Sequence, residues 1–263
     1  MQIGFAVNPL KEGAFAVRDR LMQLAGARGL GCVSVEEAGM LLSLDAAPDA
    51  LVVVGGDGSL LRYADAASAR KIPLLGVNLG RVGFLSEVTQ EAFETALTRL
   101  LDGDYTIERR MMLRCTINDE PPLHCLNDVL VFKRSFSGTA EIGITIDGAL
   151  VGNVFCDGVI AATPTGSTAY SLSAGGPILA GGLDAIAVTT VCPHTLYIRP
   201  IVTAADAQIR FSVAGSGVVS IDGARICEVQ SGDAICVTGA ERRCLFIRFG
   251  HNDLYSLIRK KLS

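Results

Sequence analysis

The chain has 263 residues, 49% hydrophobic and 19% charged, which is enough for one large domain or two ordinary ones with a sizeable core. Its net charge of −4, with no run of Lys or Arg, argues against a nucleic-acid-binding surface. Charged residues, Gly or Pro interrupt every apolar run well short of the length of a membrane span, so no membrane segment is expected. No signal peptide is recognised at the start of the sequence, so a cytoplasmic protein is expected.

The first hundred residues alternate between short apolar strands and amphipathic helices. Strands are predicted at 3–7, 32–35, 51–54 and 74–77. Helices are predicted at 14–24, 59–70 and 93–100, where apolar residues recur at helical spacing. This alternation predicts a Rossmann-like α/β domain at residues 1–104, with a mostly parallel sheet covered by helices.

From Tyr105 onward the apolar period changes to two, which indicates strands. The dipeptides Asp147-Gly148 and Asp222-Gly223 lie between such runs and predict hairpin turns. We therefore expect an all-β domain of sandwich type at residues 105–240. Residues 241–263 are predicted to return to the first domain as a tail, ending in a short amphipathic helix that carries Leu254, Leu257, Ile258 and Leu262.

A glycine turn, Gly55-Gly56-Asp57-Gly58-Ser59, follows the predicted strand at 51–54. Glycines let a phosphate approach the backbone N–H groups, and Ser59 is the predicted N-cap of the next helix. Because a carboxylate is out of place in a simple anion site, Asp57 is interpreted as a proton acceptor for a hydroxyl or a partner of Mg²⁺. The alternative is an ordinary connection with Asp57 as a turn residue.

Two more polar stretches lie beside predicted strands. The stretch Gly76–Leu85, which includes Asn78, has Gly-x-x-Gly spacing at a strand's carboxyl end, where ligands bind in open parallel sheets. Asn127 and Asp128 open an apolar run, and their side chains suit a ribose diol or a base edge. The alternative for both stretches is ordinary loop or turn chemistry.

A hydroxyl-rich loop, residues 163–173, follows a predicted strand that begins at Asp157. Such a loop offers backbone and hydroxyl donors to phosphates, and Tyr170 is suited to stack on a flat base. The alternative is a Ser/Thr-rich connection without a ligand.

No metal-binding residue is predicted. The eight cysteines form no Cys-x-x-Cys pair, and with three histidines no zinc spacing appears. The cysteines are interpreted as small buried hydrophobes in a reducing compartment.

Three of these motifs together resemble the NAD kinases, in the family's order and at similar separations. They are the glycine turn 55–59, the pair Asn127-Asp128 and residues 163–171, TPTGSTAYS. Lesser motifs of the family are similar to residues 76–78 with 83–85 and to 193–196 with 199–200. The hydroxyl-rich motif is specific, whereas the glycine turn is shared with diacylglycerol kinases and phosphofructokinases.

The resemblance implies ATP-dependent phosphorylation of the 2′-hydroxyl of the adenosine ribose of NAD, which gives NADP. It implies that Asp57 is the catalytic base. It also implies that Gly56, Gly58 and the helix N-terminus cradle phosphates, while Arg62 faces the transferred phosphoryl group. A divalent ion, Mg²⁺ above all, and assembly as a homodimer or homotetramer are implied as well.

For the second domain, the resemblance implies that Asn127 and Asp128 hold the nicotinamide-side ribose and that Asp157 contacts the nicotinamide end. Residues of the hydroxyl-rich loop line the adenine and ribose pocket. The predicted binding residues are Gly56, Gly58, Arg62, Asn78, Asn127, Asp128, Asp157, Ala162, Thr165, Thr168, Ala169, Tyr170, Ser171, Leu172 and Ser173.

Several alternatives stay open. The phosphoryl donor is ATP or polyphosphate, and the acceptor is NAD or NADH. Rival functions are a lipid or sugar kinase with the same glycine turn and a non-catalytic NAD(P)-binding regulator. Ala224, Phe155 and Gly138 depart from residues common in the family, which bears on side contacts and regulation by dinucleotides rather than on the reaction.

Overall fold

The structure of this chain is a computed structural model, and it describes residues 1–80, 83–135, 137–194, 198–250 and 257–259. The chain divides into two compact units, Met1–Arg110 with Arg243–Ser263 and Met111–Arg242. The predicted boundaries, after residues 104 and 240, lie a few residues from these. The predicted fold class, a parallel α/β domain followed by an antiparallel all-β domain, is confirmed.

The first unit contains a parallel sheet with the strand order β2-β1-β3-β4, and β5 pairs with β4. Its strands are β1 (Gln2–Val7), β2 (Gly31–Val35), β3 (Ala50–Val54), β4 (Leu74–Asn78) and β5 (Val88–Thr89). Its helices are α1 (Ala14–Ala27), α2 (Met40–Ser43), α3 (Asp57–Ala69) and α4 (Phe93–Leu101). Parallel neighbours need crossover connections, and the helices between these strands provide them.

Apolar side chains of the sheet and of helices α1 and α4 form the core of this unit. Every residue of β3 and β4 is buried, as is typical of parallel strands covered on both faces. Phe5 on β1 meets Phe93 on α4 edge to face, with ring centroids 6.4 Å apart. The sheet is therefore a rigid base for the loops at its edge.

The helix after the glycine turn begins earlier than the sequence predicts. Helix α3 begins at Asp57 with Gly56 as the N-cap residue, so the prediction that Ser59 caps this helix is wrong. Ser59 lies in the first turn, where its buried hydroxyl has no partner among the described residues. Asp57 thus stands at the helix N-terminus, where the helix dipole stabilises negative charge.

The second unit is built from antiparallel strands in two layers. One layer is a six-stranded sheet with the order β13-β12-β11-β8-β15-β16, and the other has the order β10-β9-β14-β17. The strands are β6 (Thr106–Ile117), β7 (Leu123–Cys125), β8 (Asp128–Lys133), β9 (Ala140–Ile146), β10 (Ala149–Cys156), β11 (Gly158–Ala162), β12 (Ala185–Val191), β13 (Ile201–Ala204), β14 (Ile209–Val213), β15 (Ser216–Ile221), β16 (Arg225–Gln230) and β17 (Ile235–Arg248).

Side chains from both layers share one core, which makes this unit a β-sandwich. Val131 on β8 and Val159 on β11 belong to the same buried cluster as Ile142 and Ile144 on β9. The two predicted Asp-Gly hairpins are present, joining β9 to β10 and β15 to β16. Both of their residues have positive φ, which a type I′ hairpin turn requires.

Strand β17 runs across the predicted domain boundary at residue 240. It begins in the second unit, where Val237 pairs with Ile209, and ends in the first, where Phe246 pairs with Leu74 in parallel. Much of the predicted tail helix, including Leu254 and Leu262, lies outside the described residues, of which 257–259 are helical. None of the helices that the structure describes has the length and apolar content to cross a membrane.

Candidate active site

The glycine turn leaves the N-terminus of α3 open. Gly55 has φ 145°, and a Cβ atom there would overlap the Ser59 side chain, so the turn requires glycine at this position. At Gly56 and Gly58, no described atom lies within 4 Å of where a Cβ would stand. Because the first turn of a helix leaves N–H groups without intrahelical acceptors, an anion can approach the backbone here.

Three backbone N–H groups fix the carboxylate of Asp57. Phe84 N–H donates to Oδ2 at 2.7 Å, and the N–H groups of Leu85 and Ser86 donate to Oδ1 at 3.0 and 3.3 Å. A Cβ atom on Gly83 would overlap this carboxylate. A carboxylate oxygen accepts about two hydrogen bonds, and Oδ2 accepts one among the described residues, which leaves it capacity for a hydroxyl donor there. The carboxylate is therefore oriented in advance by the described part of the chain.

Asp57 lines a cavity of about 460 Å³ within the first unit, together with Lys11, Gly56, Asn78 and Gly83. Lys11 follows β1, and the other lining residues lie at or after the ends of β3 and β4, at the carboxyl end of the sheet where α/β proteins bind ligands. Lys11 brings a positive charge that sequence reasoning missed, because it belongs to no motif. Arg62 is exposed on α3 and is not among the described residues that line this cavity.

Asn78 holds the loop that carries Gly83. Its side-chain oxygen accepts the N–H of Gly80 at 2.9 Å, and its side-chain nitrogen donates to the Ser86 hydroxyl at 3.2 Å. The same hydroxyl accepts the N–H of Gly83 at 2.7 Å. Asn78 thus supports the residues that orient Asp57, in addition to lining the cavity.

In the second unit, the carboxylate of Asp222 organises the predicted Asn-Asp pair. It accepts the N–H groups of Leu126, Asn127 and Asp128 at 2.8, 2.7 and 3.2 Å. Burial, with the nearby charge of Asp222, raises the pKa of Asp128 from 3.8 to about 7. Sequence reasoning recognised Asp222 as a hairpin residue and missed this role, because its partners lie far away in sequence.

The hydroxyl-rich loop is fixed against the same segment. The Thr163 hydroxyl donates to the Leu126 carbonyl at 2.6 Å and accepts the N–H of Gly166 at 3.0 Å. A Cβ atom on Gly166 would overlap the Asn127 carbonyl. Because only glycine permits this approach, the TPTGS sequence places the loop directly beside the Asn-Asp pair.

Most loop hydroxyls bond to the protein itself. The Ser167 and Thr168 hydroxyls donate to the carbonyls of Pro164 and Thr165, and the Ser171 hydroxyl pairs with that of Thr189. The sequence-based expectation that the hydroxyls offer donors to phosphates therefore does not extend to Ser167 and Ser171, which are fully buried.

The predicted binding residues of this unit differ in exposure. Tyr170 is 41% exposed and available for stacking, while the side chain of Asp157 forms an ion pair with Lys133 at 2.6 Å. Among the others, Ala162, Thr165 and Ser171 are buried, Asn127, Thr168, Ala169 and Leu172 are half-buried, and Ser173 is exposed.

The fold and this site define a two-unit protein with a carboxylate in a glycine turn at a helix N-terminus, and comparison with known proteins supplies its family. The model of the ATP-NAD kinase N-terminal domain matches residues 34–105, and that of the C-terminal domain matches residues 126–249. The chain therefore belongs to the NAD kinase family, as its motifs predict.

Individual relatives agree with this assignment. The NAD kinase of Moorella thermoacetica is 42% identical over 92% of this chain and 79% of its own length. The NAD kinase of Geotalea daltonii is 40% identical over 81% of this chain and 78% of its own length. The predicted enzyme class is thereby confirmed.

Solved structures confirm the fold. Yeast NADH kinase in complex with NADH has a TM-score of 0.88 at 24% identity, covering 100% of this chain and 87% of its own. An NAD kinase from Archaeoglobus fulgidus in complex with ATP has a TM-score of 0.83 at 24% identity, covering 98% of this chain and 99% of its own.

Proposed function

We propose that this NAD kinase transfers the γ-phosphoryl group of ATP to the 2′-hydroxyl of the adenosine ribose of NAD, with Asp57 as the general base. One observation carries the proposal: both oxygens of the Asp57 carboxylate are held by backbone N–H groups at a cavity beside a helix N-terminus. A base that is already oriented needs no reorganisation when the substrate arrives.

The proposed mechanism depends on positioning and charge. Oδ2 of Asp57, which accepts one N–H among the described residues, takes the hydroxyl proton as the oxygen attacks the γ-phosphorus, and the bond from that phosphorus to the β,γ-bridging oxygen breaks to release ADP. Such general base catalysis contributes on the order of 10²–10⁴ in rate. The N-terminus of α3 and the ammonium group of Lys11 stabilise the negative charge of the phosphates.

A divalent ion fits this site as a companion of the triphosphate. The described residues contain no group of three or more His, Cys, Asp or Glu side chains that could hold a metal ion. Mg²⁺ keeps several waters and binds through substrate phosphates with one or two carboxylates. Among the described residues that line the cavity, Asp57 is the one carboxylate, and it would hold the ion together with the ATP phosphates; the bound ion would neutralise phosphate charge.

The second unit provides the proposed NAD-binding residues. Asn127 and Asp128 bind the nicotinamide-side ribose, Asp157 contacts the nicotinamide end, and Tyr170 stacks on the adenine. The exposed ring of Tyr170 and the fixed backbone of 126–128 support these roles. The remaining predicted ligands, with Gly56, Gly58 and Arg62 in the first unit, stay proposals from the family resemblance.

A coupled assay tests the reaction. The enzyme is incubated with NAD, ATP and Mg²⁺, and an NADP-specific dehydrogenase then converts the product to NADPH. We expect NADPH to form; parallel reactions with NADH and polyphosphate define the acceptor and the donor. Absence of NADPH with consumption of ATP on a lipid or sugar would support the rival kinase. Tight binding of NADP without ATP consumption would support a regulator.

Assembly and location stay predictions of the family resemblance and of composition. A homodimer or homotetramer is expected, and light scattering coupled to gel filtration measures the subunit number. A cytoplasmic location is expected from the sequence.

A further inference from the structure

An ion-pair cluster with a buried arginine contacts the segment that holds Asp57. Arg248, at the end of β17, is 5% exposed and belongs to the same unit as Asp57. Its Nη1 lies 3.0 Å from Oε2 of Glu87, and its Nε lies 2.7 Å from Oε2 of Glu108. Withdrawing charges from water is costly even when they are paired, so stability alone is a weak reason for such a cluster.

Arg248 also contacts the Asp57-holding segment directly. Its Nη1 donates to the carbonyl oxygen of Leu85 at 2.9 Å. That carbonyl belongs to the same peptide unit as the N–H of Ser86, which donates to Oδ1 of Asp57. Because the C=O and N–H of a trans peptide point in opposite directions, an arginine that holds the carbonyl directs the N–H toward Asp57.

Glu87 fixes the other end of this segment. Its N–H donates to the Gly76 carbonyl on β4 at 2.9 Å, and its Oε1 accepts the N–H of Phe249 at 2.8 Å. Its second oxygen pairs with Arg248. Residues 84–87 are thereby attached to β4 on one side and to the end of β17 on the other.

The charge of Glu108 is balanced as well. Burial opposes ionisation of this side chain, but the positive charges of Arg248 and Arg110 hold its pKa below the usual value. Arg248 is the group that joins both carboxylates, those of Glu87 and Glu108, to the backbone of Leu85.

We propose that Arg248 is a positioning residue for phosphoryl transfer, which sets the direction of the Leu85–Ser86 peptide and, through it, the orientation of the Asp57 carboxylate. The inference rests on the proposed role of Asp57 as general base. Arg248 itself touches neither substrate nor reacting atoms in this assignment.

Arg248→Lys is the first test variant, because it keeps the charge. A single ammonium group lacks the planar fork that lets arginine contact Leu85, Glu87 and Glu108 together. We expect kcat to fall on the order of 10- to 100-fold, the effect of a base displaced by about 1 Å. The KM values for ATP and NAD should stay near those of the wild type, since the binding residues are unchanged.

A double-mutant cycle separates positioning from folding. In the Asp57→Asn background the base is already absent, so Arg248→Lys should change the residual kcat little. The same fold loss in both backgrounds would overturn the proposal, and so would an unfolded Arg248→Lys protein by circular dichroism. If Asp57→Asn alone keeps near-normal turnover, the proposed function fails, whatever Arg248 does.

Arg18→Lys is the matched control in the same unit. The side chain of Arg18 is 13% exposed and pairs with Asp19 and Glu36 at 2.7 and 2.8 Å, and none of its described contacts reaches residues 83–87. We expect this variant to keep the wild-type kcat. A loss as large as that of Arg248→Lys would show that any lost guanidinium ion pair in this unit slows the enzyme, and would overturn the proposal.

Discussion

Asp57 in the first unit and Asp222 in the second each accept hydrogen bonds from the N–H groups of three consecutive residues. Asp57 lines a cavity at the N-terminus of a helix, and a glycine is required beside it. Asp222 lies in an exposed hairpin turn, next to the buried carboxyl group of Asp128.

The direction of support differs between the two. At the glycine turn, the backbone of 84–86 orients the Asp57 carboxylate, which is the group proposed to react. At the hairpin, the Asp222 carboxylate orients the backbone of 126–128, which carries the side chains proposed to bind NAD. Disrupting these hydrogen bonds is therefore predicted to lower kcat when they are those of Asp57, and to lower the affinity for NAD when they are those of Asp222.

Displacing the Asp57 carboxylate from the N–H groups of residues 84–86 should have the larger effect on the enzyme. Gly83→Ala places a methyl group where the Asp57 carboxylate lies, so the carboxylate must move. A displacement of about 1 Å costs on the order of 10²-fold in rate, and we expect a loss of that size in kcat from steady-state kinetics. Gly26→Ala on α1, where a Cβ meets nothing within 4 Å of the described atoms, is the control and should retain full activity.

Asp222→Asn should instead weaken NAD binding. Asparagine tolerates the left-handed φ of 50°, but its NH₂ group faces an N–H donor in place of an acceptor. Hydrogen bonds to a charged group are worth about 1.5–3 kcal/mol, so we expect the KM for NAD to rise roughly tenfold or more while kcat changes less.

The second hairpin provides the control for this substitution. Asp147 has φ 51° and accepts the N–H of Gln208 at 2.8 Å, so Asp147→Asn makes the same change where no predicted ligand is held. Its KM for NAD should stay near the wild-type value. A kcat defect without a KM defect in Asp222→Asn would contradict the division between the two aspartates.

Asp128→Asn has the smallest expected effect, a change in how the free energy of unfolding depends on pH. The folded state holds the Asp128 proton up to about pH 7, whereas the unfolded state releases it near 3.8. The free energy of unfolding of the wild type therefore falls as pH rises from about 4 to about 7. Above that range Asp128 lowers it no further.

The variant lacks this ionisation, so chemical denaturation should show it equal at low pH and more stable by about 1–3 kcal/mol at pH 8. Here the wild type at low pH is the internal control. Parallel stability curves for the two proteins across this pH range would exclude a raised pKa at Asp128.

Local patterns predicted much of this molecule. Apolar periodicity distinguished the α/β unit from the β-sandwich, and the Asp-Gly pairs located both hairpins. The capping rule failed at Ser59, because the helix begins two residues earlier, at Asp57. The Ser59 side chain packs against Gly55, whose φ of 145° leaves room for it. The strand at the start of the predicted tail, the part of β17 after residue 240, was not predicted, since Glu241, Arg242 and Arg243 interrupt the apolar pattern there.

The support of the site was harder to predict than its motifs. Asp57 is visible in a glycine turn, but its partners at 84–86 and the cluster of Arg248 with Glu87 join residues far apart in sequence. Hydrogen bonds that a carboxylate accepts from backbone N–H groups depend on no particular donor side chain. A single sequence therefore contains no local signal for them.

Turnover of Asp57→Asn tests the central claim most directly. The substitution keeps the shape of the side chain and removes its basicity, so we predict that kcat falls by about 10²–10⁴ while calorimetry still detects NAD binding. Near-normal turnover in a folded Asp57→Asn enzyme would contradict the assignment of Asp57 as the general base.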